Sequence, residues 1–351
     1  MTRTRIAVVG AGLIGRAHIQ AIRSIDTMTL HALVDPTPAA QNLATQLGVP
    51  CHASLQDLLL KDRPDGVIVA TPNAMHVPQA LACIEAGVPC LVEKPVATTV
   101  AEAQQLAAAV KQHPVPVLVG HHRAHSPIMA SAREVVRSGR LGRLVGVMGS
   151  AVFYKPEAYF ADAPWRTQSG GGPILINLIH EIHNLRMLCG EIVAVQAFQS
   201  NAMRQFAVED TVAINLSFAN GALGSFLLSD SAACAKSWEQ TSQENPSYAT
   251  YPDQDCYVVM GTQGSLSIPT MRLHSHGPQQ ERSWLKPMDV EQVDLHRQDP
   301  ITLQMAHFDQ VVRRLAPPEV SVQDGLANLQ VTEAIARAAH SAQAVRVQDV
   351  I

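Results

Sequence analysis

Ile6-Ala-Val-Val-Gly10-Ala-Gly12-Leu-Ile-Gly15 restricts what this chain can fold into more than any other stretch. An apolar run ends in Gly-x-Gly-x-x-Gly, and the helix-like Arg16–Ser24 follows. Strand, glycine turn and helix in that order predict a dinucleotide-binding α/β unit. Gly10 permits the tight turn, Gly12 lets backbone approach a pyrophosphate, and Gly15 lets helix and strand pack closely. Leu13 and Ile14, inside the motif, belong to the same phosphate-contacting set. The helix N-terminus offers free N–H groups and a positive dipole end. A second apolar segment, Leu30–Val34, ends in Asp35. Its carboxylate is placed to accept the adenosine ribose hydroxyls and to repel a 2′-phosphate, so the expected cofactor is NAD.

A chain of 351 residues is long for one domain, and two are expected. With 47% hydrophobic and 16% charged residues it has the makings of a large core. A formal charge of -4 gives no footprint for nucleic acid or an anionic membrane. Cys51, Cys83, Cys90, Cys189, Cys234 and Cys256 are scattered without Cys-x-x-Cys, a pattern suited to reduced thiols in the cytoplasm. Arg3 and Arg5 precede an apolar run as in a signal peptide, but that run already serves as the first strand. No apolar stretch reaches the length of a membrane span.

Strand-like and helix-like segments alternate up to about residue 120. Helices are expected over 39–47, 55–60, 77–86 and 100–111, the last with Thr98 and Thr99 as candidate caps. Strands are expected over 66–70, 90–92 and 115–119. This is the pattern of a doubly wound parallel sheet with helices on both faces. The texture then changes. Long strands are expected over 144–154, 192–199, 211–218 and 222–228, and an apolar helix over 174–188. Asn220-Gly221 is a hairpin signal, and residues 261–264 form another turn. Residues 123–351 therefore read as an α+β domain on an open, mostly antiparallel sheet, with 1–122 as the cofactor domain. Closing helices over 306–314 and 326–339 are free to pack back on the first domain. Residues 232–253 lack apolar periodicity and are expected to form a lid, an arm or a disordered loop.

Four motifs now stand together: Gly10-Ala-Gly-Leu-Ile-Gly15, Ala70-Thr-Pro-Asn-Ala-Met-His76, Glu93-Lys94-Pro95 and Gly170-Gly-Gly-Pro-Ile-Leu-Ile-Asn-Leu-Ile-His180. Through them the chain resembles the Gfo/Idh/MocA oxidoreductases nearly end to end. The resemblance implies a Rossmann domain followed by an open-faced sheet domain that pairs into homodimers or homotetramers. It also implies hydride transfer between nicotinamide and a carbon bearing a hydroxyl or carbonyl, with substrate between nicotinamide and the second sheet. Lys94 matches the family's active-site lysine. A lysine partly desolvated beside a cofactor exchanges protons with an alcohol readily. Thr71, Pro72, Asn73, His76, Glu93 and Lys94 are placed by the resemblance near the cofactor. His180 aligns with the catalytic histidine, as proton acceptor or as holder of the reacting oxygen.

Departures from the family pattern matter as much. The family commonly has Asp four residues before His180; Ile176 stands there, with Asn177 offset by one. A later Asp is replaced by His183. The acid/base work is left to Lys94 and His180, with Asn177 as a substrate-orienting or structural amide. His180 and His183 share a helix face, but the further ligands of a zinc site are missing, so no metal is expected. His121, His122, Arg123, His125, Lys155, Arg166 and Arg204 make the substrate side basic. Arginine forks match carboxylates bidentately, so Arg123 and Arg166, with His122, are the candidate anchors of an anionic substrate. The expected activity is NAD-dependent oxidation of a secondary alcohol on a small carboxylated ring, a sugar acid or a carboxylated cis-dihydrodiol. The alternatives are a neutral sugar or cyclitol dehydrogenase, an enzyme recycling tightly held NAD without net redox, and a non-catalytic NAD(H)-binding sensor.

Overall fold

The computed structural model describes residues 2–277 and 279–350. They form two compact units, one of residues up to 125 with Asp299–Leu329, the other of Ser126–Gln298 with the chain from Gln330 onward. The second unit is thus not the contiguous block 123–351. A late helix and the start of another belong to the first unit, the return left open for the closing helices.

The first unit strings β1 (Thr4–Val9), α1 (Leu13–Arg23), β2 (Met28–Val34), α2 (Pro38–Leu47), β3 (Cys51–His52), α3 (Leu55–Lys61), β4 (Gly66–Val69), α4 (His76–Glu85), β5 (Cys90–Glu93), α5 (Val100–Gln112) and β6 (Val117–Gly120). All pairings are parallel and the strand order is 3-2-1-4-5-6, the doubly wound Rossmann arrangement. β4, β5 and β6 are buried along their whole length, which is why they read as unbroken apolar runs. Thr99 caps α5 in a capping box with Glu102, and Gly48 ends α2 in the left-handed region.

The second unit opens with α6 (Pro127–Arg137), capped by Ser126, then β7 (Leu144–Tyr154), α7 (Glu157–Ala161), α8 (Ile179–Cys189), β8 (Ile192–Ser200), β9 (Thr211–Phe218) and β10 (Leu223–Ser229). It continues through β11 (Ser231–Lys236), α9 (Trp238–Ser242), β12 (Tyr257–Gly261), β13 (Gly264–Ile268), β14 (Arg272–Ser275) and β15 (Asp289–Gln292). The chain then passes α10 (Pro300–Val312), which belongs to the first unit and packs on α1. α11 (Val322–Ser341) and β16 (Val345–Arg346) close it. The ten-stranded sheet is mostly antiparallel, with β7 beside β10 in the one parallel pair among its pairings. The hairpin at Asn220-Gly221 joins β9 to β10, and residues 261–264 turn β12 into β13. Alternation sorts the strands: Val147, Phe226 and Ile214 are buried, while Met148, Leu223, Leu227 and Phe198 are exposed. Residues 232–253 are no free arm. β11 pairs with β7, and Trp238 is buried with its indole N–H 3.0 Å from Glu244.

Candidate functional site

In the first unit the phosphate loop joins β1 to α1. Gly10 has φ +93°, and a Cβ there would stand 2.5 Å from the Ala70 carbonyl oxygen. A Cβ on Gly15 would overlap the Gly10 carbonyl oxygen. Packing within the chain therefore demands both glycines. At Gly12 a Cβ meets no atom of the chain within 4 Å, so packing sets no such demand there. The neighbouring Leu13 side chain is 89% exposed. Asp35 stands across the loop. Its Oδ2 accepts the Ala11 N–H at 2.9 Å, and Oδ1 accepts the Thr37 N–H and hydroxyl at 2.9 and 2.7 Å. Burial alone would raise this carboxyl, but those three donors outweigh it and hold Asp35 below the usual carboxylate range. Oδ2 keeps a further acceptor position.

The loops after β4 and β5 are tied together by one ring. His76 is buried, with its two ring nitrogens 2.7 Å from the Pro95 carbonyl oxygen and 2.9 Å from that of Thr71. This side chain, expected near the cofactor, braces the loops after β4 and β5. Thr71 donates to Gln79 at 2.8 Å, Pro72 is exposed, and Asn73 makes no side-chain hydrogen bond among the described residues. Glu93 is also turned inward. Its Oε1 lies 2.7 Å from His18 Nε2, and its Oε2 accepts the Lys94 N–H at 3.2 Å. Burial pushes Glu93 up, yet the bond and charge of His18, with Lys94 and His122 nearby, bring it below its ordinary value. Lys94 itself is half-buried at the end of β5, and its peptide bond to Pro95 is cis.

The segment after β6 goes in three directions. His122 is half-buried and its charge acts on Glu93. His121 is buried, 3.1 Å from the Asn328 amide, and the His125 ring lies 5.1 Å from that of His307. Arg123 is only 3% exposed. A guanidinium so covered is less suited than Arg166 to receive a ligand, although both are expected anchors.

The second unit builds its cluster from six segments. Lys155, just beyond β7, is buried. Its Nζ lies 2.7 Å from Asn177 Oδ1, 3.4 Å from Asp230 Oδ2 and 4.8 Å above the Tyr159 ring. Desolvation lowers the Lys155 pKa, and the Asp230 charge only partly restores it. Arg204 is held by three bonds: Nε on Asp230 at 2.8 Å, Nη2 on the Lys155 and Asp230 carbonyls. Arg166 is different. Its guanidinium stacks 3.8 Å from the Tyr159 ring centre, with Nη1 donating to the Tyr159 carbonyl. No acceptor among the described residues meets its Nε or Nη2. Asn177 sits in a π-wound turn, Ile174–Leu178, whose i→i+5 winding is a feature frequent at functional sites. The Gly170–Pro173 run makes room for it: a Cβ at Gly172 would overlap the Glu209 carboxylate, whose Oε1 accepts the Ile174 N–H at 2.9 Å. His180 and His183 follow, buried on α8. Among the described residues no group of three or more His, Cys, Asp or Glu is placed to hold a metal ion.

These geometries agree with what the chain matches. Residues 4–121 match the model of the oxidoreductase family with NAD-binding Rossmann fold, and residues 129–267 match the GFO/IDH/MocA C-terminal domain. The chain belongs to the Gfo/Idh/MocA oxidoreductase family. It is 32% identical over 192 residues to the rhizopine catabolism protein MocA of Rhizobium meliloti, a match spanning 54% of this chain and 59% of that one. It is 24% identical over 351 residues to the 1,5-anhydro-D-fructose reductase of Ensifer adhaerens, 98% of each chain. The WlbA dehydrogenase of Bordetella pertussis, solved with NADH and UDP-GlcNAcA, shares the fold with a TM-score of 0.77 at 23% identity, over 98% of both chains.

Within this family frame the first unit brings Gly10, Gly12, Leu13, Ile14, Gly15, Asp35, Thr71, Pro72, Asn73 and Lys94 to the loops at the carboxyl ends of its parallel strands. The second brings Arg166 and Asn177 to Lys155 and Tyr159. Sequence reading passed over His18, Tyr159, Glu209 and Asp230. His18 sits on the expected helix, and its three-residue spacing from Gly15 was the available signal that it faces inward. For Glu209 and Asp230 no local signal exists, because their partners lie far along the chain.

Proposed function

We propose that this chain is an NAD-dependent dehydrogenase oxidising a secondary alcohol on a small ring compound that carries a carboxylate. The phosphate loop and the α1 N-terminus hold the pyrophosphate, and Asp35 accepts the adenosine ribose hydroxyls. When bound, the nicotinamide supplies the hydride acceptor and donor. Lys94 takes the hydroxyl proton, and His180 holds the reacting oxygen or shares the proton. Arg166 and Asn177 receive the carboxylate, with His122 and Arg123 as secondary contacts.

The observation that carries the acid reading is Arg166. Tyr159 fixes its plane while two of its nitrogens keep donors unengaged among the described residues. A planar fork held rigid in this way suits a carboxylate better than a sugar hydroxyl. A neutral sugar or cyclitol substrate is the second reading, favoured by the end-to-end likeness to an anhydrofructose reductase. Thermal shift and nicotinamide absorbance with NAD present, over matched pairs of ring acids and their amides, separate the two. Acids that stabilise and turn over while their amides do not support the first; equal response moves the second ahead.

The same reading includes a homo-oligomer. The open face of the second sheet exposes Met148, Phe198, Leu223 and Leu227, an apolar surface suited to a second copy. Light scattering at micromolar concentration should show a dimer or tetramer, and a monomer would contradict it.

A further inference from the structure

We propose that Lys155 is a positioning residue that turns Asn177 into a directed hydrogen-bond donor, and that this pair sets a preference for acid over neutral substrates. The assignment rests on the acid reading above and specifies how the second unit achieves it.

Donor and acceptor chemistry fixes the pair. The Lys155 ammonium carries three N–H groups and no acceptor. It lies 2.7 Å from the Asn177 side chain, so the atom facing it must be the amide oxygen. The reversed amide would put NH2 against NH3+, losing a charge-assisted bond and adding a repulsion. Ammonium chemistry, not placement of a flexible side chain, thus decides which way Asn177 points. Lys155 cannot easily swing away. Its Nζ is held by Asp230 at 3.4 Å and by the Tyr159 ring at 4.8 Å, and its backbone N–H donates to the Asp230 carbonyl at 2.9 Å. Asp230 is in turn pinned by Arg204 at 2.8 Å.

With its oxygen committed, Asn177 offers only its Nδ2 hydrogens. The residue is half-buried, and no acceptor among the described residues meets Nδ2. It stands three residues before His180, about one helical turn. An NH2 group with no acceptor function selects a ligand atom that only accepts, such as a carboxylate or carbonyl oxygen. A polyol hydroxyl can also accept from it but gains nothing from its own proton there. An Asp in the same place would do the reverse: it would pair with Lys155, present lone pairs, welcome hydroxyls and repel a carboxylate. One side chain, oriented by a neighbour 22 residues away, therefore sharpens the choice that the Arg166 fork begins.

The test measures binding and turnover for two matched pairs, D-glucuronate with D-glucuronamide and shikimate with its amide, each with cofactor present. Wild type is compared with Asn177→Ala, Asn177→Asp, Lys155→Met, Lys155→Arg and the double variant Lys155→Met/Asn177→Ala. The expected results are an acid preference of at least about tenfold in wild type, its collapse in Asn177→Ala through KM more than kcat, and its inversion in Asn177→Asp. Lys155→Met should resemble Asn177→Ala, the double variant should add little to either, and Lys155→Arg should restore much of the preference. If Lys155→Met melts far below wild type, the two Asn177 variants decide, since they leave Lys155, Asp230 and Arg204 in place. Retained preference in those variants, or additive losses in the double variant, overturns the assignment while leaving the acid reading standing. A wild type indifferent to charge in both pairs overturns the acid reading, and the assignment falls with it.

Discussion

The two units build their parts of the proposed chemistry in opposite ways. The cofactor side of the first unit is mostly backbone: a glycine turn, a helix N-terminus and loops held by His76 and Glu93, with Asp35 and Lys94 as the few side chains the proposal calls on. The cluster in the second unit is mostly side chain, with Lys155, Tyr159, Arg166, Asn177 and Asp230 oriented by one another. Backbone sites tolerate sequence change nearly everywhere except at glycines, because every residue supplies the same N–H. Side-chain clusters change their chemistry with one substitution. A shared scaffold can thus keep one cofactor while its substrates vary.

Four measurements put that contrast at risk. The largest effect is expected at Lys94, the proposed proton acceptor. Lys94→Ala should lower kcat by roughly 10²–10⁴-fold with NAD affinity nearly unchanged. Near-normal turnover would remove Lys94 from the reaction.

Next comes the side-chain cluster. Arg166→Leu should raise KM for the acid substrate by roughly 30-fold or more, the consequence of about 2–5 kcal/mol for a buried charge-assisted pair broken from one side. Arg166→Lys should rescue poorly, because a point charge lacks the planar fork. Arg123→Leu, at a covered position, should lower the melting temperature more than it raises KM. If Arg123 proves the stronger determinant of KM, the anchor belongs to the first unit and the contrast fails.

A smaller change is expected at Asp35. Asp35→Ser should narrow the preference for NAD over NADP by on the order of tenfold, the worth of one hydrogen bond to a charged group. Equal affinities of wild type for both cofactors would remove the role of Asp35.

The smallest effect concerns pH. Glu93 is held below its ordinary value in the folded protein. Its contribution is therefore fully present above the unfolded carboxyl value of about 4.3 and is lost as pH falls through the lower folded value. Glu93→Gln should cost stability at neutral pH and flatten the acid limb of melting temperature against pH. An unchanged acid limb would show that the pair with His18 is not what holds the loops after β5.

Local chemistry made much of this legible beforehand. The glycine loop and the hairpin at Asn220-Gly221 follow from sterics within a few residues, and the strand over 144–154 from an extended apolar run, whereas Lys94 stood out through its family motif. α6 carried its own signals, Ser126 as cap and Pro127 at the first position, yet its mixed composition drew no helix expectation. The π winding at 174–178 is another matter, because an apolar run does not distinguish i→i+5 from i→i+4 bonding, and that winding carries Asn177.

The sequence alone settled where backbone must turn, which strands are buried on both faces, and which residues stand at strand ends. Tertiary structure alone decided what those residues face. His18 reaches Glu93 across 75 residues, and Asp309 on α10 reaches Thr4 across 305. Lys155 meets Asp230 and Asn177, and Arg123 becomes covered while Arg166 keeps an open edge. The physical reason is that turns and periodicities are fixed by bonds a few residues long. The partner of a buried charge is fixed by chain closure and by the cost of leaving that charge unpaired, which no local window contains.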